Sequence, residues 1–185
     1  MFNQQSIFLL SKKYYYLLLL PALFILSACP YSSSYKLDEE PGINTDDALL
    51  GNWATMMTTE KGKQLPVKMI VRKKNDTEYN IVFTGYIADL RPYRVMENDS
   101  IKGTAFMSNV ADLQFLNIEV KGQTYIAEAL FKDNKLSILP LAEKFTAKYI
   151  KSSAELRLAV EVHLKNRASP IYDEPFCLKD MVRVN

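Results

Sequence analysis

Between Trp53 and Ile150 apolar and polar residues take turns along the chain, and turn-forming residues interrupt the alternation at short, regular intervals. Val67, Met69 and Val71 alternate with Lys68 and Arg72. Tyr79, Ile81 and Phe83 alternate with Asn80 and Thr84, and Leu116, Ile118 and Val120 with Asn117 and Glu119. A period of two marks a β-strand with one buried face. Between the runs lie Lys74-Asn75-Asp76, Glu97-Asn98-Asp99-Ser100, Lys121-Gly122-Gln123 and Asp133-Asn134, rich in the residues that tight turns favour. Tyr93 with Val95, Tyr125 to Phe131, Leu136 with Ile138, and Phe145 to Ile150 supply further predicted strands. Connections this short join neighbouring strands antiparallel, so the pattern predicts a meander.

One segment follows a different period. Ser152-Ser153-Ala154-Glu155 has the spacing of a capping box, with Ser152 as cap and Glu155 three residues on. Leu156, Ala159, Val160, His163 and Leu164 then share one helical face, while Arg157, Glu161 and Lys165 point elsewhere. Pro170 marks the region where the helix has ended. The tail from Phe176 to Val184, with Leu178, Met181 and Val182 apolar, reads as a closing strand. Ile126 and Leu130 oppose Tyr125 on their strand, so both faces of that strand look buried; a helix lying outside the sheet accounts for the second face. The fold expected is mainly β: an antiparallel meander of 8–10 strands closing into a barrel, with one C-terminal helix packed outside and a final strand.

The N-terminus carries a separate signal. Lys12 and Lys13 precede an uncharged, mostly apolar run from Tyr14 to Ala28, and no acidic residue occurs before Asp38. Fifteen residues suit the hydrophobic region and cleavage site of a secretory leader better than a spanning helix, which needs about 20. Leu26-Ser27-Ala28-Cys29 resembles the lipobox of bacterial lipoprotein signal peptides. The resemblance implies cleavage between Ala28 and Cys29 and acylation of Cys29. It implies that residues 1–28 are a signal peptide and that acylated Cys29 anchors the chain in the cell envelope. Pro30 is not the aspartate that resembles an inner-membrane retention signal, so the expected location is the outer membrane.

Removing the leader changes the charge picture. It holds two of the 23 Lys+Arg and none of the 21 Asp+Glu, so the formal net charge falls from +2 to zero. A neutral mature domain offers no electrostatic reason to expect nucleic acid as a partner. Residues 29–47, with Pro30-Tyr31-Ser32-Ser33-Ser34 and Asp38-Glu39-Glu40-Pro41-Gly42, read as a flexible tether of low apolar content. The barrel domain is then 48–185.

The chemistry-bearing residues are few. With Cys29 acylated, Cys177 has no partner for an intrachain disulfide and reads as a small buried apolar residue. His163 is the sole histidine and falls on the apolar helix face, in a packing role. One histidine and no paired cysteines exclude a three-histidine or multi-thiolate zinc site from this chain alone, so no metal or other cofactor is expected. No nucleophile elbow, phosphate-binding glycine loop or His-Glu-x-x-His helix is present, so the chain is not read as an enzyme. Glu119 and Glu128 are the carboxylates with a chance of meeting across strands.

Gly51-Asn52-Trp53 is similar to the Gly-x-Trp that opens the first strand of lipocalins and related calycin barrels. The resemblance implies that a basic residue from a late strand lies over the Trp, a part Arg183 can take as the pair Trp53–Arg183. The second lipocalin motif, Thr-Asp-Tyr, is absent. A lipocalin-like barrel implies binding of a small apolar ligand, with Trp53, Phe83, Phe106, Tyr125 and Phe131 as the aromatics expected near the cavity. The alternative is a cell-envelope lipoprotein with a filled barrel and no ligand, whose surface or edge meets a protein partner.

Overall fold

The computed structural model describes residues 32–58, 62–85, 100–142, 150–166 and 171–185. Its strands are β1 (Ser32–Ser33), β2 (Gly51–Thr58), β3 (Gln64–Lys73), β4 (Glu78–Gly85), β5 (Ser100–Val110), β6 (Leu113–Val120), β7 (Gln123–Lys132), β8 (Lys135–Pro140) and β9 (Leu178–Val184). The helix α1 (Ser153–Asn166) lies between β8 and β9. Each strand from β2 to β8 pairs antiparallel with the next, β9 pairs with β8, and β9 pairs with β2. Eight strands thus form a closed antiparallel ring, with β1 outside it. Closure removes the open edges that a flat sheet of this length would present.

The period of two becomes two cores. One side of the alternation, including Trp53, Met69, Val71, Tyr79, Ile81, Met107, Leu116, Ala127, Leu136 and Met181, fills the barrel interior. Among the described residues the other side is buried over β5, β6 and β7, where Val110, Phe115 and Ile126 pack with Leu37, Leu141, Leu156, Val160 and Ile171. The expectation of a strand buried on both faces under a helix holds at Ile126, which is fully covered, while Leu130 is exposed. At Gly103 a Cβ would come 2.4 Å from the Glu119 carbonyl oxygen, so this glycine lets β5 approach β6.

The helix starts as its sequence predicts. Ser152 Oγ accepts the Glu155 N–H at 3.2 Å, and the Glu155 carboxylate reaches back to the Lys151 N–H at 2.7 Å. The return bond is displaced by one residue from the usual capping box, yet it satisfies the same exposed amide donors. Leu156 and Val160 are buried against the barrel wall, with Leu164 partly so; Leu158 and Val162 face outward.

The tether reading needs correction from Ser32 onward. Ser32 and Ser33 pair with Tyr125 and Thr124. Leu37 is only 1% exposed, and its N–H donates to Asn117 Oδ1 at 2.7 Å. Asn117, itself buried, donates to Ser108 Oγ at 2.8 Å. Lys36 pairs with Glu119 at 3.1 Å and Asp38 with Arg157 at 2.7 Å, and Arg157 also donates to the Asn109 carbonyl. A polar segment docks because one leucine fills an outer pocket and its backbone finds a buried amide side chain. The leader, Cys29, and the expected strand residues at 93, 95 and 145–149 lie outside the described residues.

Candidate functional site

The barrel interior is closed at one end by residues 46–50. Asp46 Oδ1 accepts the Ala48 N–H at 2.8 Å and caps a short helical turn, Asp47–Leu49. Three side chains of the wall hold that turn. Trp53 Nε1 donates to the Leu49 carbonyl at 2.9 Å, Arg183 Nη2 donates to the Ala48 carbonyl at 2.9 Å, and the Tyr79 hydroxyl accepts the Asp46 N–H at 2.5 Å. Burial, the larger influence, pushes the Tyr79 phenol above its ordinary range. Leu49 completes the plug by joining the interior core.

The pair Trp53–Arg183 forms at this floor. The two residues are in register across β2 and β9, and the Arg183 guanidinium carbon lies 4.9 Å from the Trp53 ring centre. Gly51 has φ +143°, a conformation that side-chain-bearing residues rarely adopt, and the Arg183 stem passes beside it. The spacing Gly51-x-Trp53 therefore has a local physical meaning: a glycine-only backbone at the strand start, then the ring on which the cation rests.

At the opposite end Met57, Phe83, Ile101 and Val120 retain 6–9% exposure, against 0–3% for Trp53, Met69, Val71, Tyr79 and Ile81 nearer the plug. Tyr125 is half-buried, and its hydroxyl donates to Gln123 Oε1 at 2.8 Å on the rim. None of the buried residues described in the interior core carries a charge. The lining includes Met57, Met69, Met107 and Met181, whose unbranched thioether chains adapt to varied shapes, and the small residues Ala105, Ala127 and Ala129.

The five aromatics expected near a cavity separate into three groups. Trp53 is floor, and Phe83 and Tyr125 belong to the half of the interior away from the plug. Phe131 stands edge-on to Trp53, ring centres 6.1 Å apart, and is 41% exposed at the closed end. Phe106 is corrected: it lies on the other side of its strand from Ala105 and Met107, buried on the outer wall with Lys36 Nζ 5.7 Å from its ring centre. Its neighbours Ala105 and Met107 take the inward positions, so the aromatic is left for the wall beneath the docked N-terminal segment.

Glu119 and Glu128 do not meet. Glu119 is opposite Thr124 and Glu128 opposite Phe115, four register positions apart, or about 13 Å along the strands. Glu128 is buried and accepts a hydrogen bond from the Tyr172 hydroxyl. Burial, followed by that carboxylate, pushes the Tyr172 phenol strongly upward. The contact fastens the chain before β9 to the outside of β7, which sequence reasoning missed because Tyr172 stands in no periodic pattern.

Cys177 is buried, its Sγ 3.4 Å from the Asp173 carbonyl oxygen, and burial pushes its thiol up to about 11. That is the inert end of cysteine behaviour. His163 is half-buried on the helix. Among the described residues no cluster of three or more His, Cys, Asp or Glu is arranged to hold a metal ion, and no helix is long and apolar enough to cross a membrane. A polar groove of about 330 Å³ on the outside of the closed end is lined by Asn44, Thr45, Asp47, Lys73 and Asp76. Its Lys73–Asp76 pair at 2.8 Å and the Thr45 N–H to Asp76 carbonyl bond at 2.8 Å account for its main polar groups.

No family model, no curated protein and no solved structure matches the chain.

Proposed function

We propose that this protein is a lipid-anchored envelope protein, in the outer membrane where the cell has one, whose barrel takes up a small apolar ligand through its mouth. The observation that carries the reading is the asymmetry of the barrel. One end is plugged by residues 46–50 under Trp53, Tyr79 and Arg183, and the other is ringed by apolar side chains that keep some exposure. Ligand pockets are concave and mostly apolar, and an eight-stranded barrel is wide enough for one small ligand. Anchoring rests on the apolar leader ending in Leu26-Ser27-Ala28-Cys29. Native mass spectrometry on residues 30–185 produced in a bacterial periplasm tests the ligand. A reproducible extra mass lost on denaturation supports carriage, whereas a bare chain across gentle conditions and added lipid overturns it.

One observation favours a second reading. Trp53, Met69, Tyr79, Ile81, Leu136 and Met181 are each at most 1% exposed, so the middle of the barrel is well packed. A filled barrel would make this an envelope interaction protein. Cross-linking in intact envelopes through Leu158 and Val162, the exposed apolar pair on α1, tests for its protein partner.

A further inference from the structure

Where α1 meets the outer wall, the fold holds a groove that reads an extended chain by the order of its side chains. At its base Asn117 is 2% exposed; its Oδ1 accepts the Leu37 N–H at 2.7 Å and its Nδ2 donates to Ser108 Oγ at 2.8 Å. Glu119 pairs with Lys36 at 3.1 Å on one side of that amide, and Arg157 of α1 pairs with Asp38 at 2.7 Å on the other. Between the two ion pairs Leu37 is buried with Phe115 and Leu156. The groove therefore selects a basic, an apolar and an acidic residue in succession, and one buried amide fixes the backbone between them.

The arm that fills this groove, residues 32–38, hangs on the ring by an open connection. Glu39, Glu40 and Gly42 are exposed, and nothing stands within 4 Å of where a Gly42 side chain would begin. The chain is fixed again where the Thr45 N–H donates to the Asp76 carbonyl at 2.8 Å. Asp46 follows Asp38 by eight residues, so the connection reaches at most about 29 Å. The ring from β2 to β9 closes without the arm. An element that docks on a finished fold through an exposed hinge fits the same groove of a neighbouring copy equally well. The outward face of α1 offers that neighbour apolar surface, with Leu158 60% and Val162 47% exposed one turn apart.

We propose that the groove is a self-recognition site: two copies of this chain exchange residues 32–38, each laying Lys36, Leu37 and Asp38 against Glu119, Asn117 and Arg157 of the other. The occupant is a second copy because its own arm carries the charge order that the groove matches. Every contact of the single chain forms again in the pair, twice over, and each copy still closes its own barrel. Only the course of residues 39–44 differs between the two arrangements. The inference stands whether or not the barrel holds a ligand and whether or not Cys29 is acylated.

The test uses the unaltered full chain, produced with its leader in a bacterial envelope, once in ordinary and once in heavy-isotope medium. The two preparations are mixed in mild detergent, incubated from dilute to concentrated, and treated with a carbodiimide, which joins an amine to a carboxylate in direct contact. The Lys36–Glu119 pair is exposed enough to react, and the mass of the joined peptides tells whether one copy or two supplied them. The Lys165–Glu161 pair, both on α1, sets the background of chance encounters. Light–heavy conjugates at Lys36–Glu119 should exceed that background several-fold, rise with concentration and travel with the dimer on size exclusion. Leu37→Ala should abolish both the dimer and the excess. Light–heavy conjugates at background level at every concentration overturn the proposal. A dimer whose Lys36–Glu119 conjugates all lie within one copy overturns it too, as does a dimer that persists in folded Leu37→Ala.

Discussion

The guanidinium of Arg183 sits over the Trp53 ring and at the same time donates to the Ala48 carbonyl. One side chain thus ties the last strand, the first strand of the ring and the plug together. The arrangement closes the barrel both around its circumference and at its floor.

Arg183→Ala should therefore cost more than an exposed arginine normally would. Loss of the ring contact and the hydrogen bond together predicts about 1–2 kcal/mol of destabilisation. Arg183→Lys should recover only part, since an ammonium lacks the planar face that stacks on an aromatic ring. Urea unfolding followed by the fluorescence of Trp53, the sole tryptophan, measures both variants. An unchanged midpoint for Arg183→Ala would mean that the strand pairing of β2 with β9 closes the ring unaided.

Leu37→Ala gives a second expectation. A residue in a solvated tether can be truncated without effect, but removal of this buried side chain should destabilise the protein by about 2–4 kcal/mol. Asn117→Ala should cost about 1–3 kcal/mol, because it leaves the Leu37 N–H without its acceptor. Amide exchange of residues 32–38 should speed up in both variants before global unfolding. Rapid exchange already in the unaltered protein would contradict the docked segment.

Alkaline pH should weaken the fold. The Cys177 thiol is raised from an ordinary 9.0 to about 11, chiefly by burial and then by Glu174. Between those values the unfolded chain has released the proton that the folded chain retains, so stability falls as pH rises through this window. The raised phenols of Tyr172 and Tyr79 act with the same sign above their ordinary 10.0. Stability measured from pH 8 to 11 should decline, and Cys177→Ala should flatten the early part of the decline. Thiol modification at pH 8 should be far slower in the folded protein than in urea.

Much of this fold was legible because alternation is a local property. Leu116, Ile118 and Val120 announce an inward face regardless of what they meet across the barrel, and Ser152 with Glu155 announces a helix start. The errors arose where a second, distant partner decides the outcome. Phe106 alternates with inward Ala105 and Met107, and the outer wall it was left to is covered by the docked N-terminal segment, with Lys36 over its ring. That segment looked like a tether because one leucine among serines and acids is a weak signal. The amide that receives it, Asn117, is 80 residues away. The Trp53–Arg183 pair is equally long-range, and it was expected only because Gly51-Asn52-Trp53 resembles the Gly-x-Trp of lipocalins, which implies a late-strand basic residue over the ring.

Ala127 offers the sharpest test of whether the barrel has room for a ligand. It faces the interior, is 1% exposed, and stands in register with Leu116 and Pro140. If its smallness leaves space for an acyl chain, Ala127→Leu should fill that space. The variant would then keep or gain stability while lipid no longer alters Trp53 fluorescence or adds mass in native spectra. In a packed core, the same substitution forces neighbours off their preferred rotamers and costs about 1–3 kcal/mol. Phe106→Leu is the matched control: it changes the outer wall, so it should reduce stability without touching ligand uptake. Uptake lost in Phe106→Leu but retained in Ala127→Leu would move the binding site from the interior to the outer wall beneath Lys36.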